Sequence, residues 1–318
     1  MTDRFGRTIE YMRVSITDRC DLRCRYCIPD GCDKVPMSSI LTYEEIIRIC
    51  SAAAELGIRK IRITGGEPFV RKGCTSLIKA VKELQGIDEV CITTNGQSLY
   101  RFIDELKEAS VDGINISLDT LDPDRFTTIT GGGILQRTLE AVDLSVKAGI
   151  NTKINTLAMK GFNEDELSDL AAFAFDRGIA VRFIEMMPVG AGDPSIGLPN
   201  STVLSKLREI WPDLCPYTSK MGNGPAVYYS IPGKAGAVGF ISAMHEPFCG
   251  QCNRIRLTSQ GQLKPCLCYE EGTNLKPYLG GSDAELKEAI REAIYNKPEA
   301  HCFVTSHPEH RLMSQIGG

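Results

Sequence analysis

From residue 11 to about residue 190 the chain repeats one unit: a short β-rich run, a polar turn, then an amphipathic helical stretch. The runs are YMRVSIT, IRKIRITGGE, DEVCITTN, DGINISLD, INTKINTLA and AVRFIEMM. Strands that alternate with helices of this length must run parallel, joined by right-handed crossovers. Six units make either an open doubly wound sheet or an incomplete barrel. Thr42 with Glu45 forms a capping-box signature ahead of one helix, Asn163 resembles a cap ahead of another, and Gly178 is placed to end the latter. Beyond the Gly- and Pro-rich PVGAGDPSIGLPN the pattern changes to short strands with Gly-containing turns, including SQGQ as a hairpin tip, and then a charged helix, DAELKEAIREAIYNK. The divisions expected are an N-terminal segment 1–10, the repeating unit 11–190, a linker 191–224, a small C-terminal domain 225–300 and a tail 301–318.

In parallel α/β folds ligands bind where the loops leave the carboxyl ends of the strands. Directly after the first strand stands TDRCDLRCRYC, with Cys20, Cys24 and Cys27; the second strand ends in TGGEP, residues 64–68. Three thiols are one short of the four ligands that zinc or an iron–sulfur cluster usually takes. Adjacent glycines let backbone come close to a ligand, and Glu67 is placed to accept hydrogen bonds at the same rim. A second constellation, FCGQCNRIRLTSQGQLKPCLC, holds Cys249, Cys252, Cys266 and Cys268 on a hairpin. Spacing alone leaves structural zinc and iron–sulfur level there. Of thirteen cysteines, Cys50, Cys74, Cys91, Cys215 and Cys302 stand alone and read as small buried residues. The odd number and clustering point to metal ligands in a reducing compartment rather than to disulfides.

Arg13, Arg62, Lys153 and Arg182 each interrupt an apolar strand run. In KIRIT, Ile61 and Ile63 share one face and Arg62 takes the other. A single such arginine pairs with a carboxylate, Glu185 or Asp119 being at hand; four on different strands, with Arg254 and Arg256 added, suit a ligand of several negative charges. No phosphate-binding glycine loop occurs, so side chains would hold a nucleotide. The net charge of −4, with both signs mixed along the chain, argues against a nucleic-acid or anionic-membrane surface. The opening MTDRFGRTIEYMRVS has no long apolar core, and no run approaches a membrane span, so a cytoplasmic protein is expected.

Taken together, these residues resemble the radical S-adenosylmethionine (SAM) superfamily. There, Cys-x-x-x-Cys-x-x-Cys holds three irons of a [4Fe–4S] cluster and SAM chelates the fourth; Cys20, Cys24 and Cys27 match, with an aromatic at Tyr26. Within the superfamily the chain is similar to the GTP 3′,8-cyclases of molybdenum cofactor biosynthesis, through RVSITDRC, KIRITGGEP, ITTNG, INISLD, RFIEMM, FCGQCNRIRL and the terminal Gly-Gly. The resemblance implies a partial (β/α)6 barrel with a small C-terminal region, containing a β-hairpin, for an auxiliary cluster. It implies a second [4Fe–4S] cluster on Cys249, Cys252 and Cys266, SAM contacts at Tyr26, Gly66, Ser117 and Met187, and GTP contacts at Arg13, Arg62, Thr93, Lys153, Arg182, Arg254 and Arg256. It gives Arg256, Gly317 and Gly318 a part in the cyclisation, although LMSQ before the last residues departs from the family's usual Met-Asn. The reaction implied is loss of the ribose 3′ hydrogen, attack of that carbon on purine C8, and reduction to (8S)-3′,8-cyclo-7,8-dihydroguanosine 5′-triphosphate. The partners implied are a one-electron donor such as flavodoxin or ferredoxin, a downstream cyclic pyranopterin monophosphate synthase, and a second copy in a homodimer. Cys32 reads as a loop residue, and Cys268 as a bystander or a competitor for the open iron. The rival readings are a peptide-modifying radical SAM enzyme and a non-catalytic zinc protein.

Overall fold

The computed structural model describes residues 1–31, 35–218, 221–303 and 309–317. The repeating unit gives six strands, each parallel to the next: β1 (Tyr11–Ser15), β2 (Lys60–Thr64), β3 (Glu89–Thr94), β4 (Gly113–Ser117), β5 (Thr152–Leu157) and β6 (Ala180–Ile184). Side chains alternate across a strand. Met12, Val14, Ile61, Ile63, Val90, Ile92, Ile114, Ile116, Ile154, Val181 and Phe183 belong to one core cluster with the helices and are buried. Each contributes about 1.5–3 kcal/mol through burial of its side chain. The residues between them, from Arg13 to Arg182, are left for the opposite face.

The helix Tyr43–Glu55 starts on the full Thr42–Glu45 capping box and buries Ile46, Ile49 and Cys50. Gly178 lies past the helix Leu167–Asp176 at φ +64°, as expected. Asn163 does not cap that helix. It is fully buried, its side chain accepting from Met159 N and donating to Asp119 O and Leu157 O, so it ties the loop after β5 to the end of β4.

The C-terminal part continues the same sheet. Its strands are β7 (Cys215–Pro216), β8 (Val227–Ser230), β9 (Ala237–Ile241), β10 (Arg254–Leu257), β11 (Gln262–Lys264) and β12 (Thr273–Asn274). Among the described residues the order is β12-β11-β10-β1-β2-β3-β4-β5-β6-β9-β8-β7. β9 adds to β6 and β10 adds to β1, both parallel, so each edge of the six-strand unit is occupied. β10 and β11 form the expected hairpin, with Gly261 at φ +87° in its turn. The stretch 191–224 includes a helix, Asn200–Ile210, that buries Val203 and Leu207. No helix among the described residues is long and apolar enough to cross a membrane.

Candidate active site

The inward face of the sheet lines a cavity of about 380 Å³. The register sets its levels. Arg256, Arg13 and Arg62 sit side by side on β10, β1 and β2, and Asn155 on β5 faces Arg182 on β6. Cys20, Cys24 and Cys27 follow the carboxyl end of β1, whereas Cys249 and Cys252 precede β10, beside the start of β1. The two thiol trios therefore occupy opposite ends of the strands, separated by the length of β1, about 13 Å at the usual strand rise.

At the first end the loop is held by backbone. Arg23 N donates to Thr130 O at 2.8 Å and Cys27 N to Cys24 O at 2.9 Å. Tyr26 Oη donates to Asp119 Oδ2 at 2.6 Å. Burial raises Asp119 to about 6, against the pull of Tyr26 and Leu157 N, and burial with the Asp119 charge raises the Tyr26 phenol. The glycines of TGGEP serve close packing: a Cβ on Gly66 would lie 2.3 Å from Arg19 O, and one on Gly65 2.7 Å from Thr17 O. Gly66 N is already spent on Thr17 O, so the carbonyl is what this residue can offer an amino group. Glu67 lies behind the rim, accepting from Phe69 N, Thr94 Oγ1 and Asn95 N, and burial raises it to about 8. Burial likewise raises Cys20 to about 12.

At the second end Arg7 donates to Cys249 O at 2.9 Å, and Lys297 Nζ donates to Arg254 O at 2.9 Å and to Pro265 O. Burial acts to raise the Cys252 thiol, but Arg254 and Lys297 outweigh it and bring it down to about 7. The tail instead returns to the carboxyl ends of β1 and β2, where Gly317 lies against Ser15 and Thr64 and its O accepts from Arg256 Nη1, reaching up from β10. Gly317 has φ +76°, and a Cβ there would lie 3.0 Å from Ser15 Cβ, so only glycine suits the position. Gly318 lies outside the described residues, as does Cys32.

Between the ends lies a belt of buried positive charge. Among the described residues no carboxylate pairs with Arg62, Lys153, Arg182, Arg254 or Arg256. The two carboxylates weighed as partners are engaged elsewhere, Glu185 with His245, Met244 N and Asn200 N, and Asp119 with Tyr26. Burial, then the neighbouring cations Arg182, Arg62 and Lys60, depress Lys153 to about 8, and burial with Arg254 brings Arg256 to about 10. Burial would raise the Tyr11 phenol, yet Arg62 and Arg13 lower it to about 8. Thr93 Oγ1, Asn155 Oδ1 and Arg182 Nε are buried without a hydrogen-bond partner among the described residues. Buried polar atoms of this kind call for a polar ligand.

The residues fit the groups the sequence implies. Each trio of soft thiol donors faces the cavity, and thiolates suit iron–sulfur clusters. Among the described residues no three His, Cys, Asp or Glu side chains converge as they would around one ion.

Among the described residues, every site residue expected from the sequence lines this cavity except Gly317. Lys60, Asn115, Asn155, Tyr228 and His301 line it as well and were missed. Lys60, Asn115 and Asn155 share strand parity with Arg62, Ser117 and Lys153, which was the available signal. Two of the solitary cysteines are not buried residues: Cys215 is exposed, and Cys302 is half-buried against Cys268. Cys268 is buried and, unlike Cys266, does not line the cavity.

Two family models match the chain in succession. The radical SAM superfamily model matches residues 14–174 and a model described as Molybdenum Cofactor Synthesis C matches 179–303. Proteins named GTP 3′,8-cyclase from Clostridium perfringens (strain SM101 / Type A) and Pelotomaculum thermopropionicum are each 43% identical over the full length of both chains. Among solved structures, Streptococcus suis SuiB bound to S-adenosylmethionine superposes with a TM-score of 0.68 at 18% identity, covering 94% of this chain and 74% of that one. SuiB bound to its precursor peptide SuiA superposes at 0.63 and 17% identity, covering 92% and 66%. At such identities the likeness is one of fold.

Proposed function

Because the chain belongs to the GTP 3′,8-cyclase family of radical SAM enzymes, we propose that its cavity converts GTP to (8S)-3′,8-cyclo-7,8-dihydroguanosine 5′-triphosphate, the first step of molybdenum cofactor biosynthesis. The observation that carries the reading is a buried cation belt between two thiol trios at opposite ends of one cavity. Cys20, Cys24 and Cys27 would hold the [4Fe–4S] cluster that works with SAM, and Cys249, Cys252 and Cys266 a second one. When bound, the first cluster and SAM supply the one-electron, hydrogen-abstracting chemistry.

The chain's own part is to bind, orient and exclude. Tyr26, Gly66, Ser117 and Met187 would hold SAM, Gly66 offering its carbonyl because its N–H is already bonded to Thr17 O. Arg13, Arg62, Thr93, Lys153, Arg182, Arg254 and Arg256 hold GTP, their charge balancing the triphosphate that no carboxylate here can replace. Held between the two ends, the ribose 3′ carbon and purine C8 approach each other while bulk water and stray hydrogen donors are kept out. Gly317 fixes the Arg256 guanidinium through its carbonyl, and Gly318 shares its part in the cyclisation. A flavodoxin- or ferredoxin-type protein supplies electrons, a cyclic pyranopterin monophosphate synthase takes the product, and the enzyme acts in the cytoplasm, as a homodimer.

The deciding experiment is anaerobic: reconstituted protein, SAM and dithionite, with and without GTP. Formation of 5′-deoxyadenosine that requires GTP and removes the ribose 3′ hydrogen supports the reading. SAM cleavage indifferent to GTP would make the substrate wrong and favour a peptide. No cleavage by fully iron-loaded protein would overturn the reading altogether.

A further inference from the structure

The second end of the cavity carries sulfur chemistry that neither trio uses. Cys268 follows Cys266 by two residues, yet Cys266 lines the cavity and Cys268 does not. On the facing stretch His301 and Phe303 line the cavity and Cys302, between them, does not. Turned away from the cavity, the two thiols meet. Cys268 Sγ and Cys302 Sγ are 3.0 Å apart, and Cys302 N donates to Cys268 Sγ at 3.1 Å. The stretches are also pinned on either side, by Tyr269 Oη donating to Ala300 O at 3.1 Å and by Lys297 Nζ donating to Pro265 O.

We propose that Cys268 and Cys302 are a dithiol, separate from both cluster-bearing trios, that closes to a reversible disulfide by exchange with a small-molecule disulfide of the glutathione class. A disulfide bond is about 2.05 Å long, so closure needs about 1 Å of approach between sulfurs already held face to face. Cys302, the half-buried partner, attacks the small disulfide, forming a mixed disulfide and releasing one small thiol. Cys268 then attacks Cys302 Sγ, which forms the protein disulfide and releases the second small thiol. Two electrons pass from the pair to the small disulfide, and the two protein thiol protons end on the released thiols. The bond joins residues 34 apart, spanning β12 and the helix Asp283–Tyr295. It fastens the start of the tail to the loop bearing Cys266.

The test uses the cluster-loaded full chain, incubated anaerobically with oxidised glutathione, alkylated, digested and read by mass spectrometry, with iron measured in parallel. The expected result is a peptide pair linked through Cys268 and Cys302, with iron content unchanged and the link lost on treatment with dithiothreitol. The link should be absent from Cys302→Ser and from Cys268→Ser, both retaining wild-type iron. Cys302→Ser, at a half-buried position, carries the test if the buried Cys268 variant fails to fold. Cys302 recovered only as a glutathione mixed disulfide, or alkylated, with no link to Cys268, overturns the proposal. So does loss of iron from folded Cys302→Ser, which would make that thiol a cluster ligand.

Discussion

In the proposed GTP site, Lys153 would make nucleotide binding a proton-linked event. The residue is 8% exposed, and its ammonium lies in the field of Arg182, Arg62 and Lys60, donating only to Met221 O at 2.7 Å among the described residues. Titrating at about 8 instead of 10.5, it costs the free protein about 3 kcal/mol to keep charged. A bound triphosphate returns the ammonium to its ordinary range. Below pH 8 the lysine is charged in both states and binding does not depend on its proton. From pH 8 towards 10.5 the free protein must take up a proton to bind, so affinity falls as pH rises. For Lys153 alone, GTP affinity should weaken about tenfold from pH 7 to pH 9, with uptake of about 0.9 proton at pH 9. Tyr11, also brought to about 8, acts in the same direction, because an adjacent anion favours the phenol over the phenolate. The wild type can therefore lose up to about a hundredfold over this range, and Lys153→Met and Tyr11→Phe should each remove about half of the logarithmic slope. Isothermal titration of cluster-loaded protein in buffers of different ionisation enthalpy measures both quantities. Wild-type binding at pH 9 without proton uptake would refute the reasoning.

Two other substitutions probe the belt and its rim. Arg256→Ala should weaken GTP binding by about 10- to 100-fold through loss of charged hydrogen bonds, while about eight irons per chain remain; an unchanged Kd would take Arg256 out of the site. Glu67→Ala leaves Phe69 N, Asn95 N and the Thr94 hydroxyl without their acceptor and should cost about 2–4 kcal/mol, seen as a lower urea midpoint. A wild-type midpoint would show that water replaces the carboxylate at no cost.

What could be read in the sequence followed from periodicity. Arg62 between Ile61 and Ile63 declares its face, because alternation along a strand is local and needs no knowledge of the partner strand. The same parity holds for Lys60 and Asn155, but a lysine near a strand end and an asparagine carry weaker local signals, and both escaped notice. Asn163 stands where a helix cap would, and its three hydrogen bonds reach residues on two other elements, which no local pattern reports. TGGEP was correctly placed at the rim for an incomplete reason: its glycines admit the neighbouring loop, at 2.3 Å from an imagined Cβ, before they admit any ligand. The contact between Cys268 and Cys302, and the pairing of β10 with β1, join residues far apart in the chain. Such contacts leave no mark on the residues in between.

The pairing of β10 with β1 and of β9 with β6 also bears on how the chain is made. Residue 11 begins the first strand of the repeating unit, but its outer neighbour starts at Arg254, late in synthesis. Until then a growing chain carries bare strand edges at β1 and β6, each a template for pairing with another copy. A fragment stopped near residue 190 would keep the whole first thiol trio and both edges, and should be recovered mainly as aggregate. The junction between the two family models, at residues 174–179, is thus a poor place to cut. The enzyme is built to be completed from its C-terminal end.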